Sequence, residues 1–166
     1  DALPISFRLN HKSEFETIMT GVDGTVAIGH VRYATCGGDD RYNAQPFERD
    51  HGRRTKWFAF AFNGQLANYK QLKEELLSKG DYHLKRDTDT EIIMHALSYE
   101  LQTEDHDPDW VGIFRRLSEW FDGAYNIVLL TANGEVIVAR DPLGFRPLCI
   151  ARNGPMFAAA SESVPL

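Results

Sequence analysis

The sequence predicts an α+β domain, a four-layer α/β/β/α sandwich in which two antiparallel sheets stack between helices. Three observations carry that expectation. Strand-like runs crowd the two ends of the 166 residues and helix-like runs fill the middle, an order that fits an α+β chain better than an alternating one. The runs 58–62, 127–130 and 136–139 are apolar at nearly every position. Antiparallel hairpins ordinarily keep one face wet, so strands apolar on both faces need a second layer on each side. Finally, 43% hydrophobic and 25% charged residues suit one globular domain over residues 1–166, long enough for a sizeable core.

The elements follow in order. Val26-Ala27-Ile28-Gly29-His30-Val31-Arg32 reads as a strand that runs into the polar turn 33–38, and a loop leads to Asn43-Ala44-Gln45-Pro46-Phe47. Arg53, Arg54 and Lys56 form a small basic cluster, read as a solvated hairpin tip. The aromatic run Trp57-Phe58-Ala59-Phe60-Ala61-Phe62 is a core strand that stops on Asn63-Gly64. Asn68 then caps a helix, with Gln71 as its reciprocal partner, Tyr69, Leu72 and Leu76 as its apolar stripe and Gly80 as its stop.

A second helix begins at Asp87-Thr88-Asp89-Thr90-Glu91, where Thr88 and Glu91 have capping-box spacing; Ile92, Ile93, Ala96, Leu97 and Leu101 supply its buried face. After an acidic connector, a third helix starts near Asp109, with Trp110, Phe114, Leu117 and Phe121 inward and Gly123 closing it. Two hairpins complete the chain, one turning at Asn133-Gly134 and one at Asn153-Gly154.

Charge and cysteine content narrow the function classes. A net charge of −6 and a pI near 5.5 leave no basic footprint for nucleic acid or anionic lipid. Cys36 and Cys149 are too few for a disulfide framework and lack zinc-ligand spacing, so a reducing, cytoplasmic setting is expected, with no metal site. No apolar run approaches the ~20 residues that span a bilayer. His30, on an apolar strand, reads as a core histidine rather than a base, and Cys149 as packing.

Seven short stretches occur in a telling order: Gly29-His30-Val31-Arg32-Tyr33-Ala34-Thr35, Asn43-Ala44-Gln45-Pro46-Phe47, Asn63-Gly64, Thr88-Asp89-Thr90-Glu91, Asp122-Gly123-Ala124-Tyr125, 140–148 and Ala160-Ser161-Glu162-Ser163. Together they resemble the class II glutamine amidotransferase domain, from about position 26 to the end. The resemblance implies an N-terminal-nucleophile hydrolase fold and release of ammonia from L-glutamine through a cysteine thioester, without a cofactor. It places Arg32 on the substrate carboxylate, with Tyr33 and Thr35 beside it, and Asp89 on the α-amino group. Asn63 and the Gly64 backbone N–H become the oxyanion hole.

Elementary chemistry agrees with those roles. A guanidinium grips a carboxylate through two parallel hydrogen bonds, and a carboxylate matches an ammonium by charge. The residues also have plainer readings. Asp89 sits where a helix cap is favoured, and Asn-Gly is a common hairpin signal, although here a helix follows it. The stretch 140–148 reads as a turn shaped by Gly144 and prolines, with Arg140, Asp141 and Arg146 in a structural ion network.

The family nucleophile is a cysteine at the first position of the processed chain, whose own amine is the base. Position 1 here is Asp1, so the resemblance implies that the cysteine and its strand precede it. Cys36 is internal and has no free amine beside it, which disfavours it as a substitute. Read literally, the chain also fits a glutamine-binding module without a nucleophile. The Gln-Pro-Phe, Arg-Pro-Leu and Ser-Glu-Ser elements tilt the resemblance toward the branch that passes ammonia to phosphoribosyl pyrophosphate in purine synthesis, over the sugar and aspartate branches. A downstream phosphoribosyltransferase domain is then the expected partner, and a homo-oligomer is compatible with the sequence.

Overall fold

The computed structural model describes residues 12–21, 24–31, 43–80, 84–85, 88–104, 106–164 and 166. Its elements run α1 (Lys12–Gly21), β1 (Phe47–Arg49), a short 3₁₀ turn (Arg54–Lys56), β2 (Phe58–Leu66), α2 (Tyr69–Lys79), α3 (Asp89–Glu100), α4 (Trp110–Trp120), β3 (Gly123–Thr131), β4 (Val136–Arg140), β5 (Cys149–Asn153) and β6 (Met156–Ala160). Four strands form one sheet in the order β1-β2-β3-β4, and β5 pairs with β6 in a second. The chain is therefore α+β with two antiparallel sheets, as expected. It divides into two compact units, Asp1–Ala61 with Leu129–Val136, and Phe62–Val128 with Ile137–Leu166, which are described separately.

In the first unit, β1 lies antiparallel to the start of β2, with Phe47 opposite Phe60 and Arg49 opposite Phe58. Phe47 meets Phe60 edge-on at 6.2 Å between ring centroids, a geometry that the ring quadrupoles favour. The 3₁₀ turn between them carries the basic cluster, and Arg54 donates from Nη2 to the Ala132 carbonyl at 3.0 Å. That hairpin matches the expectation. The strand predicted over 26–32 does not: residues 24–31 adopt no regular structure, and Val31 is 83% exposed. Alternating apolar residues make a strand only where a neighbour completes the ladder, and none of the described strands pairs with them.

The second unit holds the helices. Leu72 and Leu76 of α2 are buried, as are Ile92, Ile93, Ala96, Leu97 and Leu101 along α3, the full face expected from spacing. Thr88 caps α3, its Oγ1 accepting the Glu91 N–H at 3.3 Å. Asp109 caps α4 by accepting the Gly112 N–H. On α4 the buried stripe is Ile113, Leu117 and Phe121, while Trp110 and Phe114 lie half-buried on its flank. The stripe is rotated toward Ile113 from the expected one, and Gly123 begins β3 instead of ending the helix. Lys79 of α2 lies over the stacked rings of Tyr99 and Trp120, binding the three helices by cation–π contact.

Asn68 departs from its expected role. It stands at the N-cap of α2 but makes no capping bond. Its side chain reaches across to α4 and β3, donating to the Trp120 carbonyl at 2.8 Å and accepting the Asp122 N–H at 3.1 Å, while Gln71 pairs with Glu75. With the Ala67 N–H on the Asp122 carbonyl at 2.7 Å, this clip fixes where β3 enters beside β2. Two carbonyl and amide groups left over at the α4 terminus are better satisfied by Asn68 than by water, because the site is partly buried.

The expected hairpins form, with Gly134 and Gly154 at positive φ in their turns. Between them, the loop after β4 is held by dipoles and not by an ion network. Buried Asp141 accepts the Phe145 N–H at 3.1 Å, and the N–H groups of Tyr125 and Arg146. Arg140 donates to the carbonyls of Gly144 and Arg146, and Asn126 Nδ2 donates to the Pro147 carbonyl at 2.6 Å. Gly144 sits at φ +66°, where a side chain would be strained, with the Arg140 guanidinium 3.1 Å from a Cβ built there.

Candidate functional site

The site is built on the second half of β2. The strand does not stop at Asn63-Gly64; it continues to Leu66 and only then turns into α2. The Asn-Gly pair is therefore no hairpin turn, and Gly64 does not have positive φ. Its reason is close approach. A Cβ at Gly64 would lie 2.2 Å from the Ala124 carbonyl oxygen and 2.7 Å from Tyr125 Cα on β3. Gly123 mirrors it, since a Cβ there would lie 2.2 Å from the Gln65 carbonyl oxygen.

In a regular strand Cβ leaves through a sheet face; at Gly64 that direction runs across to the neighbouring strand. Only glycine fits, because the obstructing atoms are backbone. We expect Gly64→Ala to cost about 3 kcal/mol, the upper end for overpacking, read as a lower melting temperature. An unshifted melting temperature would contradict the close approach.

Asn63, beside it, is half-buried, and among the described residues its amide makes no hydrogen bond. Its amide can donate through Nδ2 and accept through Oδ1.

Asp89 opens α3 at its first helical position. Burial pushes its carboxyl above the ordinary carboxylate range, against the backbone N–H groups of Thr90, Leu66 and Asp89 itself, which stabilise the charge. The Thr90 N–H contact is 2.9 Å. The Leu66 N–H lies on β2, two residues beyond Gly64, so the Asp89 carboxyl faces that end of the strand. Strand rise puts Leu66 roughly 7 Å from Gly64 along the chain. The capping reading of Asp89 is thereby set aside, as Thr88 does that work.

Arg32, Tyr33 and Thr35, together with Cys36, lie outside the described residues. Asn63, Gly64 and Asp89 all belong to the second unit. Cys149 is a half-buried free thiol on β5. Tyr125, opposite Gly64, has its hydroxyl pushed up to about 12 by burial and by the nearby Asp141 charge, so it stays protonated across the physiological range. Among the described residues no group of three or more His, Cys, Asp or Glu side chains could hold a metal, and no helix is long and apolar enough to cross a membrane.

Comparison with known proteins places this geometry in context. Residues 30–166 match the family described as the glutamine amidotransferase domain. The amidophosphoribosyltransferase of Methanothermobacter thermautotrophicus is 41% identical over 143 residues, covering 85% of this chain and 28% of that protein. The Homo sapiens amidophosphoribosyltransferase is 37% identical over 152 residues, again covering 28% of its own length. The chain thus spans under a third of the relatives it matches.

Among solved structures, the glutamine phosphoribosylpyrophosphate amidotransferase from B. subtilis, complexed with ADP and GMP, superposes with a TM-score of 0.65. It shares 33% identity and covers 81% of this chain and 27% of its own. A second, described as the allosteric regulatory enzyme of purine biosynthesis, gives 0.66 at 34% identity over the same shares. The fold is the N-terminal-nucleophile type expected from the motifs. On the family match over most of its length, the chain belongs to the glutamine amidotransferase domain family.

Proposed function

We propose that this domain hydrolyses L-glutamine to glutamate and ammonia and that the full-length protein passes the ammonia to phosphoribosyl pyrophosphate, the first step of purine synthesis. The nucleophile is the N-terminal cysteine of the mature protein. Its thiolate attacks the side-chain amide carbon, its α-amine relays the proton to the departing ammonia, and water then cleaves the thioester to glutamate. Residues 1–166 act as the glutaminase domain, and a phosphoribosyltransferase domain elsewhere in the same protein, soluble in the cytoplasm, is the acceptor.

The observation that carries this reading is that the Asp89 carboxyl faces the Leu66 N–H, two residues from Gly64. Bond lengths separate the α-nitrogen and amide carbon of an extended glutamine by roughly 5 Å. That span suits an ammonium on Asp89 with the reacting carbonyl at Asn63 and Gly64. Among the described residues no cation faces the half-buried Asp89 carboxyl, a counter-charge that a substrate ammonium would supply. Asn63 Nδ2 and the Gly64 N–H then meet the oxyanion as it forms, and Arg32, flanked by Tyr33 and Thr35, takes the α-carboxylate.

Arg32→Lys tests the carboxylate contact in the full-length protein. Losing the bidentate fork should raise the glutamine KM about tenfold, a differential of some 1.4 kcal/mol within the range for charge-assisted bonds. Synthesis from free ammonia should be unchanged. Equal loss of both activities would overturn the assignment.

A further inference from the structure

Gly123 opens β3 without the positive φ that Gly134, Gly144 and Gly154 need in their turns. Its reason is the strand beside it. A Cβ at Gly123 would overlap the Gln65 carbonyl oxygen and lie 3.0 Å from Leu66 Cα and 3.1 Å from the Gln65 carbonyl carbon. These atoms belong to one amide of β2, so the bare Cα of Gly123 sits against the oxygen edge of the Gln65–Leu66 peptide.

A trans peptide is planar, with its C=O and N–H on opposite edges. The oxygen edge of this one meets Gly123, and its other edge, the Leu66 N–H, faces the Asp89 carboxyl. The amide is thus a rigid spacer between β3 and the head of α3, and all of its neighbours named here lie in the second unit.

β3 is not free to back away. Asp122, the residue before Gly123, is held at both backbone groups: its carbonyl accepts the Ala67 N–H at 2.7 Å, and its N–H donates to Asn68 Oδ1 at 3.1 Å. Asn68 Nδ2 is itself fixed on the Trp120 carbonyl at 2.8 Å. Carbon and oxygen of neighbouring strands approach to about 3.3 Å, so a methyl at Gly123 demands a shift of about 1 Å. The Gln65–Leu66 amide is the part left to make it.

We infer that Gly123 is a positioning residue for the ammonium end of the substrate site: its missing side chain lets β3 seat the Gln65–Leu66 amide where the Leu66 N–H faces Asp89. The inference rests on the proposed role of Asp89. Gly123 touches no reacting atom. Moving the Leu66 N–H by about 1 Å takes it out of hydrogen-bond range, and the carboxyl loses a donor that orients it. The loss falls on ligands with an α-ammonium and spares those without one.

The test uses the full-length protein with its mature N-terminus. Two ligands are compared: glutamine, through its KM, and glutaramic acid, the analogue lacking the α-amino group, through its inhibition constant against glutamine. Gly123→Ala should raise the glutamine KM about tenfold, below the roughly 10²-fold that a 1 Å misplacement can reach, and leave the glutaramic acid constant unchanged. General distortion of the sheet would weaken both ligands alike. Synthesis from free ammonia reports the fold.

Should Gly123→Ala fail to fold, Asn68→Ala loosens the same seat by freeing Asp122. It should raise the glutamine KM about threefold, as the loss of a side-chain hydrogen bond allows, with the glutaramic acid constant again unchanged. A wild-type glutamine KM in folded Gly123→Ala, or in folded Asn68→Ala where that variant stands in, would overturn the inference. So would an equal loss for both ligands. Asp89→Asn is the reference arm. If it leaves the glutamine KM unchanged, the reading of Asp89 fails and the inference with it; if it raises that KM while Gly123→Ala does not, only the positioning role fails.

Discussion

Asn63→Ala in the full-length protein should lower glutamine-dependent kcat by about 10² to 10³, with the glutamine KM within a few-fold of wild type. The size follows from where the charge appears. Ground-state glutamine presents a neutral carbonyl, and a hydrogen bond to it roughly replaces one to water. Once sulfur attacks, that oxygen becomes an anion, and a fixed donor in a site poor in water gains several-fold in strength.

Asn63 is suited to this because its amide is held on a core strand with nothing else to bond among the described residues. It needs no reorganisation when the charge forms. Since uniform binding does not change kcat, the loss must appear in kcat and not in KM. Ammonia-dependent synthesis serves as the internal control for folding. A variant with unchanged kcat would remove Asn63 from the oxyanion site.

Asp141→Ala should destabilise the protein by about 3 kcal/mol, measured by denaturant unfolding near neutral pH. Hydrogen bonds to a charged group contribute roughly 1.5–3 kcal/mol each, and an orphaned buried donor costs more than a bond never made. Burial pushes the Asp141 carboxyl up, but the N–H groups of Phe145, Tyr125, Arg146 and Gly144 outweigh it and hold the carboxyl below the ordinary range. The full sum is not expected, since part of the loop reaches water once released: Phe145 is already 70% exposed.

The sign of the pH dependence is fixed by the lowered folded value. An acid whose folded pKa lies below its unfolded one, about 3.9 for Asp, stabilises the fold above that unfolded value and loses the contribution as pH falls through the folded one. The gap between wild type and Asp141→Ala should therefore be flat from pH 5 to 8 and narrow below about pH 4. A gap that widens in acid would contradict the N–H clamp.

Much of this domain was legible in the residues because local rules decide it. The Thr88 cap on α3, the α3 face from Ile92 to Leu101, and the Asn-Gly turns at 133 and 153 each depend on short spacing, and each appears as expected. What was not legible depends on neighbours distant in sequence. The Asn63-Gly64 pair looked like the end of a strand because its constraint is the backbone of residues 124 and 125 on β3. Asn68 looked like a cap because its partners are 52 and 54 residues away.

Asp141 looked like half of an ion network because sequence cannot tell a carboxylate facing arginine from one facing amides. Its place before a Pro-x-Gly turn, where N–H groups converge, was the available signal. Glu91 was visible only as a capping partner, whereas its Oε1 accepts the Lys85 N–H at 2.7 Å.

The central claim is that one glutamine lies along the second half of β2, its ammonium at Asp89 and its reacting carbonyl at Asn63 and Gly64. A crystal structure of the full-length protein, trapped with a glutamine analogue that alkylates the nucleophile, measures this directly. The account predicts the analogue's α-ammonium at hydrogen-bonding distance, about 2.7–3.2 Å, from the Asp89 carboxylate, with its carbonyl oxygen equally close to Asn63 Nδ2 and the Gly64 N–H. An analogue bound with its ammonium away from Asp89, or its carbonyl away from that amide pair, would contradict it.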